Sequence, residues 1–239
     1  MSGVVGPRSV IPLIQDGLVL YQDAFFKASY PGTGTDWFDL TSNNNDAVLN
    51  NGASYSSSYD GIISLDGLDD YVEWNRSTDY DFDISTSFTI AGWFNISSTV
   101  TNSSYLGKWG SNATSNGSYM LWNGGSGSFR LRFALGKNNT TAVQTPLLTY
   151  TSGVWNYFCG VYTAGTKLAC YLNGSTKTEV NYTDVFNNPT NVNLRISKAD
   201  YAGSSGFAGD SNIIGVYNRA LSDAEVLQNY NATKTRFGL

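Results

Sequence analysis

Three aspartates crowd one turn between two strand-like segments. Asp66, Asp69 and Asp70 lie on either side of Gly67. Calcium prefers carboxylate and carbonyl oxygens from loops of this kind, so the cluster is a candidate calcium site, and calcium is the one cofactor that the sequence suggests. An Asp-Gly turn followed by acids is also an ordinary solvated connection, and a single hairpin rarely supplies the six to eight oxygens of a calcium shell. Both interpretations stay open.

A second candidate site lies in an aromatic segment around a loop rich in Gly, Ser and Asn. Sugar binding needs an aromatic platform for the apolar face of a pyranose and amides for its hydroxyl groups. The candidate carbohydrate-binding residues are Trp109, Tyr119, Trp122 and Asn123. The same aromatics alternate as the core-facing side chains of a hairpin would, and Trp is usually highly buried. Core packing is therefore the alternative interpretation.

The titratable residues argue against an enzyme. The chain contains no histidine, which removes the usual activation of Ser and Cys nucleophiles and the commonest ligand of catalytic zinc. A glycosidase needs two carboxylates about 5–9.5 Å apart across a cleft. The glutamates Glu73, Glu179 and Glu225 are widely spaced and form no such pair on one strand. We therefore expect no catalytic residues.

The two cysteines are placed so that they would meet across a hairpin. If Ala164 and Gly165 form a two-residue loop, Cys159 faces Cys170 directly and both sulfurs point towards the core. The Cα atoms would then be about 5.5 Å apart, within the range that a disulfide tolerates. Synthesis in a reducing compartment favours two buried free thiols. The sequence leaves the disulfide open.

Composition and patterning predict one large all-β domain over residues 17–239. Gly, Ser, Thr and Asn are abundant, and apolar residues alternate in short runs separated by turn signals. A capping box, Ser222-Asp223-Ala224-Glu225, predicts one helix at about residues 222–232, and we expect it to pack across one end of the domain.

Residues 1–16 form a separate N-terminal arm that is apolar but interrupted by Gly and Pro. One interpretation is a frayed terminus or an edge strand packed on the domain. The other is a docking arm that buries apolar side chains against another subunit. The residues of this predicted docking arm are Val10, Ile11, Pro12 and Ile14.

Several segments resemble, in the same order, motifs of the laminin-G-like, concanavalin A-like jelly-roll family of the lectin/glucanase superfamily. They are Gly17–Ala24, Trp37–Asp46, Ser64–Val72, Ser87–Phe94, Val154–Phe158, Lys167–Gly174 and Phe207–Ser222. The resemblance implies a two-sheet antiparallel jelly-roll sandwich with one short C-terminal helix. Family members often hold a structural ion through an acidic residue on the last strand, where this chain has Asn212 and Ile213.

The likeness is strongest, through the ending Gln228–Leu239, to single-domain virion structural proteins of tailed bacteriophages. It implies a non-enzymatic virion surface protein, a capsid decoration or head-fibre subunit that docks through its arm. Its partners would be the major capsid protein or neighbouring copies, in a homo-oligomer or symmetric array. The alternative is a lectin or adhesion module that recognises host-surface glycans, in a tail fibre or receptor-binding component. A glucanase-like hydrolase is a third reading, and it lacks the carboxylate run.

The charge and hydropathy exclude two further classes of partner. A formal net charge of −5 argues against nucleic acid, because phosphate binding requires clustered Lys and Arg. No apolar run is long enough for a membrane span, and the N-terminus lacks an export signal. We therefore expect synthesis in the host cytoplasm and a location on the capsid surface of the virion.

Overall fold

The structure is a computed structural model, and it describes residues 12–99, 102–110, 117–124, 129–137, 141–184, 192–200, 204 and 206–239. The strands are β1 (Leu18–Asp23), β2 (Asp36–Trp37), β3 (Ala47–Asn50), β4 (Ser54–Ser56), β5 (Ile62–Asp66), β6 (Tyr71–Trp74), β7 (Phe88–Thr99), β8 (Ser104–Trp109), β9 (Gly117–Trp122), β10 (Arg130–Lys137), β11 (Thr141–Gln144), β12 (Leu148–Thr149), β13 (Trp155–Thr163), β14 (Lys167–Leu172), β15 (Thr176–Asn181), β16 (Leu194–Ile196) and β17 (Phe207–Tyr217). The helix α1 spans Asp223–Thr233, and short 3₁₀ turns occur at Ser58–Asp60, Thr78–Tyr80 and Lys234–Phe237.

The strands form two antiparallel sheets. The first sheet has the order β15-β14-β13-β7-β17-β5-β4, with β1 also paired to β17. The second sheet has the order β11-β10-β9-β8-β16-β6-β3-β2, with β12 also paired to β10. The predicted all-β, two-sheet antiparallel sandwich with one short C-terminal helix is confirmed. Within the described residues, no helix is long and apolar enough to cross a membrane.

Side-chain alternation along the strands builds the core between the sheets. On β7, Phe88, Ile90 and Phe94 point inwards and meet inward-facing residues of the second sheet, among them Phe133 on β10. The Phe88 and Phe133 rings are 6.1 Å apart, edge to face. Burying each such side chain contributes roughly 1.5–3 kcal/mol, so this shared core joins the two sheets into one body.

The opposite face of the first sheet is covered by the C-terminal part of the chain. Trp93 points outwards from β7, stacks on Tyr230 of α1 at 5.5 Å, and lies 4.4 Å from Phe237. The capping box at Ser222 and Glu225 is present as predicted. The helix therefore packs on a sheet face and not across one end of the sandwich, because this face of β7 and its neighbours is itself apolar.

The hairpin of β13 and β14 differs from the expected register by one residue. The loop has three residues, 164–166, and the Thr166 N–H donates to the Thr163 carbonyl over 3.0 Å. Cys170 therefore pairs with Gly160, and Cys159 with Tyr171. A one-residue slip reverses the face of every side chain. Cys170 lies in the core between the sheets, whereas Cys159 lies on the opposite face among the residues under α1, and both thiols are free and buried.

The described part of the predicted arm packs on its own chain. The Pro12 carbonyl accepts a hydrogen bond from Gln228 at 2.8 Å, and the Ile14 N–H donates to Asn229 Oδ1 at 2.9 Å. The half-buried Ile14 also packs against the apolar cluster under α1. These contacts agree with the packed alternative for residues 12–16. Val10 and Ile11 lie outside the described residues.

Candidate functional site

A groove on the outer face of the second sheet contains two of the predicted sugar-binding residues. On β9, Leu121 points into the core while Met120 and Trp122 point outwards, because successive side chains of a strand alternate. Trp109 joins them from β8, where an irregular register follows Lys108. The outward side chains form a small apolar cluster of their own on this face.

This outer-face groove encloses a cavity of about 220 Å³. The described residues that line it are Asn102, Trp109, Met120, Trp122, Ala142, Gln144 and Ala199. Trp122 is half-buried, while Trp109 and Met120 are only 8% and 5% exposed. One indole is therefore open to a ligand, and the other two large side chains form the apolar wall beneath it. Asn102 and Gln144 supply amide groups at the rim.

A cross-strand pair fixes the position of the Trp122 ring. Trp122 on β9 is the direct partner of Arg132 on β10, and both side chains pack over Gly124. A Cβ at position 124 would lie 2.9 Å from the indole and 2.7 Å from Arg132 Cδ, so a glycine is required there for this packing. Arg132 Nη1 donates to Gln144 Oε1 over 2.8 Å, which orients that amide. Burial and the nearby Arg130 lower the pKa of the Arg132 guanidinium.

The other two predicted sugar-binding residues lie elsewhere. Tyr119 is fully buried in the core, and its hydroxyl donates to the Tyr80 carbonyl over 2.9 Å. Asn123 is also fully buried, and its backbone N–H donates to the Ser103 carbonyl over 2.8 Å. Tyr119 and Trp122 are three residues apart on one strand, so their side chains point to opposite faces of the sheet. The groove therefore keeps Trp109 and Trp122 and excludes Tyr119 and Asn123.

Five groove residues were not predicted from the sequence: Asn102, Met120, Ala142, Gln144 and Ala199. Met120 could have been predicted from the sequence, because residues 120 and 122 are two apart on β9 and their side chains therefore point to the same face. Gln144 lies on β11, 22 residues after Trp122, and only the pairing of β10 with both β9 and β11 brings the two together. No local sequence pattern predicts this strand pairing, because it is decided by the arrangement of the whole sheet.

The acidic turn connects the two sheets instead of closing a hairpin. It follows β5 of the first sheet and precedes β6 of the second. One carboxylate oxygen from each of Asp66, Asp69 and Asp70 lies within 4.8 Å of the others. Asp66 and Asp69 are exposed, whereas Asp70 is only 4% exposed. The three predicted metal-ligating residues are therefore brought together.

Asp70 is the structural centre of this turn. Its Oδ2 accepts a hydrogen bond from the Asp66 backbone N–H at 2.9 Å, which ties the two ends of the turn together. Burial raises the pKa of the Asp70 carboxyl; the hydrogen bond from Asp66 acts in the opposite direction, and the charges of Asp66 and Asp69 raise it further. The turn therefore holds negative charge that its own backbone compensates only in part.

On the last strand, where the resemblance implies a structural ion, Asn212 contacts an internal ion pair. Arg236 Nη1 donates to Asn212 Oδ1 over 2.8 Å and to Asp23 Oδ1 over 2.6 Å. Asp23 is fully buried. The Arg236 guanidinium group therefore meets the buried Asp23 carboxylate here.

The two antiparallel sheets and the single C-terminal helix form a concanavalin A-like jelly-roll sandwich. The chain belongs to the concanavalin A-like lectin/glucanase superfamily: the laminin-G-type model of that superfamily matches residues 66–227, about two thirds of the chain. A comparison with curated proteins found no match.

Solved structures with a similar fold include binding domains of a mosquitocidal protein and of botulinum neurotoxins. The binding domain of Paraclostridial Mosquitocidal Protein 1 has a TM-score of 0.69 at 14% identity over 90% of this chain and 52% of its own. The receptor binding domain of a botulinum neurotoxin C/D mosaic serotype has a TM-score of 0.70 at 12% identity, over 92% and 52%. The botulinum neurotoxin serotype G binding domain has a TM-score of 0.70 at 13% identity, over 91% and 51%. The chain thus spans about half the length of these structures, and at these identities the likeness concerns the fold alone.

Proposed function

We propose that this protein is a non-enzymatic carbohydrate-binding module that holds a sugar ring in the outer-face groove. The observation that carries the proposal is the half-buried Trp122 indole, set above an apolar wall and flanked by the Asn102 and Gln144 amides. A pyranose has one apolar face for an aromatic ring and hydroxyl groups for amides. The cavity of about 220 Å³ is smaller than clefts for drug-sized ligands and suits a single ring.

The chemistry of the groove supports binding without catalysis. None of its described lining residues is an Asp or Glu. The nearby Asp200 forms an ion pair with Arg195 at 2.8 Å and accepts the Asn193 N–H at 2.9 Å. The segments between β8 and β11 that complete the connections of these strands also contain no Asp or Glu in the sequence. A glycosidase mechanism would require two such groups across the sugar.

The comparisons favour this binding function over the virion role implied by the sequence resemblance. The similar solved structures are named as binding or receptor binding domains, and one of them is a botulinum neurotoxin binding domain in complex with SialylT. None of these names refers to a virion. A capsid or head-fibre location, and partners on a particle, remain predictions from the resemblance, whereas glycan recognition has both a fold and a groove in its support.

A glycan array followed by calorimetry with the best ligand tests the proposal. We expect Trp122→Ala to weaken binding at least tenfold, since it removes the platform, and to change the melting temperature by only a few degrees because the ring is half-buried. Gln144→Ala should weaken binding without touching the aromatic wall.

Phe26→Ala is the matched control, because Phe26 is an aromatic residue that is 44% exposed and lies outside the groove. It should bind the selected glycan as the unmodified protein does. An array without signal, or a Trp122→Ala protein with unchanged affinity, would contradict the proposed function.

A further inference from the structure

The acidic turn contains a buried carboxylate oxygen that lacks a hydrogen-bond partner among the described residues. Asp70 is only 4% exposed, and its Oδ1 has no hydrogen-bond partner among the described residues. Buried carboxylate oxygens are normally paired, because the loss of hydration is otherwise uncompensated. No ion pair joins Asp66, Asp69 or Asp70 to a Lys or Arg in the described chain. Asp70 therefore has one carboxylate oxygen that no group of the described chain pairs with.

A surface cavity lies beside Asp70, and several of its lining side chains carry oxygen atoms that could bind a metal ion. Asp70 borders a surface cavity of about 310 Å³ together with Asn51, Gly52, Ser54, Ser64, Leu65 and Asp66. Gly52 has a φ of +123°, and a Cβ at this position would lie 2.9 Å from Asp70 Oδ1. A side chain at position 52 would therefore collide with the unpaired oxygen, whereas the glycine backbone packs beside it. The Ser64 hydroxyl donates to Asp210 at 2.7 Å, so its oxygen lone pairs remain available.

The spacing of the three carboxylates fits a single ion. Two ligands of one calcium ion, each bound at about 2.3–2.6 Å, are at most about 5 Å apart. The ligand oxygens of Asp66, Asp69 and Asp70 lie within 4.8 Å of one another. All donors here are oxygen atoms, which calcium accepts, while nitrogen and sulfur ligands of transition metals are missing from the described cluster.

We propose that Asp66, Asp69 and Asp70 bind one calcium ion at the turn between β5 and β6. The three carboxylates provide the charge, and solvent and neighbouring oxygens complete the shell. Because the turn passes from one sheet to the other, the bound ion stabilises the connection between them. This site is separate from the outer-face groove, so its test is independent of the proposed sugar binding.

The test is thermal unfolding and calorimetry of the calcium-stripped protein with added calcium chloride. At a hundredfold excess over Kd we expect the melting temperature to rise by roughly 5–10 °C. Magnesium chloride should give a smaller shift, because magnesium is smaller and dehydrates reluctantly. No heat and no shift with calcium, or an equal shift with magnesium, would overturn the calcium assignment.

Asp69→Asn is the decisive variant, since the exposed Asp69 carboxylate has no structural bond among the described residues and its loss should not unfold the turn. We expect it to weaken calcium binding at least tenfold while leaving the calcium-free protein as stable or slightly more stable, because like charges are relieved. Asp60→Asn, at an exposed turn residue outside the cluster, is the charge-matched control and should keep the full response. A normal calcium response in Asp69→Asn would refute the site.

Discussion

The two cysteine thiols lie on opposite faces of the first sheet, and both are completely buried. Burial raises the pKa of both Cys159 and Cys170, so the reactive thiolate is scarce in the folded protein. We expect a chromogenic thiol reagent to detect no thiol in the native protein and two in denaturant. Since the side chains lie on opposite faces of one sheet, reductant should leave the melting temperature unchanged. A melting temperature that falls with reductant would contradict the free-thiol state.

For individual residues, the sequence shows which side chains could be functional, but it predicts poorly to which face of the sheet each one points. A two-residue loop predicts that Cys159 and Cys170 face each other on the core side. The actual three-residue loop leaves Cys170 in the core and places Cys159 on the opposite face of the sheet. Tyr119 was grouped with Trp122 by composition, although their parity separates them. Loop length depends on backbone geometry that Ala164 and its neighbours do not determine locally.

Among the individual elements, α1 has an N-terminus that depends on pH. Glu225 accepts hydrogen bonds from Arg219 at 2.7 Å and from the Ser222 backbone N–H at 2.8 Å. The bond from Arg219 is the main reason that the pKa of Glu225 is lowered to about 2, from an unperturbed value near 4.5. A carboxylate with a lowered pKa stabilises the fold above its unfolded pKa, and this contribution is lost as pH falls through the folded value.

We therefore expect the free energy of unfolding to decrease between pH 4.5 and pH 2 by roughly 1–3 kcal/mol because of Glu225. The measurement is denaturant unfolding across this range for the unmodified protein and for Glu225→Gln. The variant should be less stable near neutral pH, and the difference between the two proteins should shrink towards pH 2. A difference that is independent of pH would contradict this account of the cap.

The elements themselves were largely predictable, since each rests on a local pattern. The capping box located α1 within a residue of its observed bounds, and alternating apolar residues located β7. The connection through Asp66 and Asp70 is different. Nothing in its local sequence states that β5 and β6 belong to different sheets, because sheet membership is decided by pairing with β17 and β3.

Across the whole molecule, the two outer faces of the sandwich are treated differently. The first sheet is covered by α1 and the 3₁₀ turn at Lys234–Phe237, with Phe237 lying 4.5 Å from Trp155. The second sheet retains the open groove at Trp122. Family resemblance predicted the sandwich, and the structure adds the covered face. One outer face is therefore buried under the C-terminal part of the chain, while the other keeps the groove in which we propose that a sugar binds.

A buried ion pair also joins the 3₁₀ turn at Lys234–Phe237 to the sandwich. Arg236 donates to both oxygens of Asp23, at 2.6 and 3.0 Å. The Asp23 side chain is fully buried and that of Arg236 is 17% exposed. Removing one partner of a buried pair leaves an uncompensated charge, which typically costs about 3–5 kcal/mol. We therefore expect Arg236→Ala to lower the free energy of unfolding by about 3 kcal/mol, measured by denaturant titration.

Two further variants separate the lost pair from the lost packing of the C-terminal turn. Lys234→Ala, in the same turn, removes only a cation 5.2 Å from the Tyr230 ring and should cost less than about 1 kcal/mol. The double variant Asp23→Asn/Arg236→Ala removes the buried charge together with its partner. It should be more stable than the sum of the two single losses predicts, because the isolated carboxylate is gone. Additive losses would show instead that Arg236 acts through its contacts with Asn212 and the Phe25 ring, and not through Asp23.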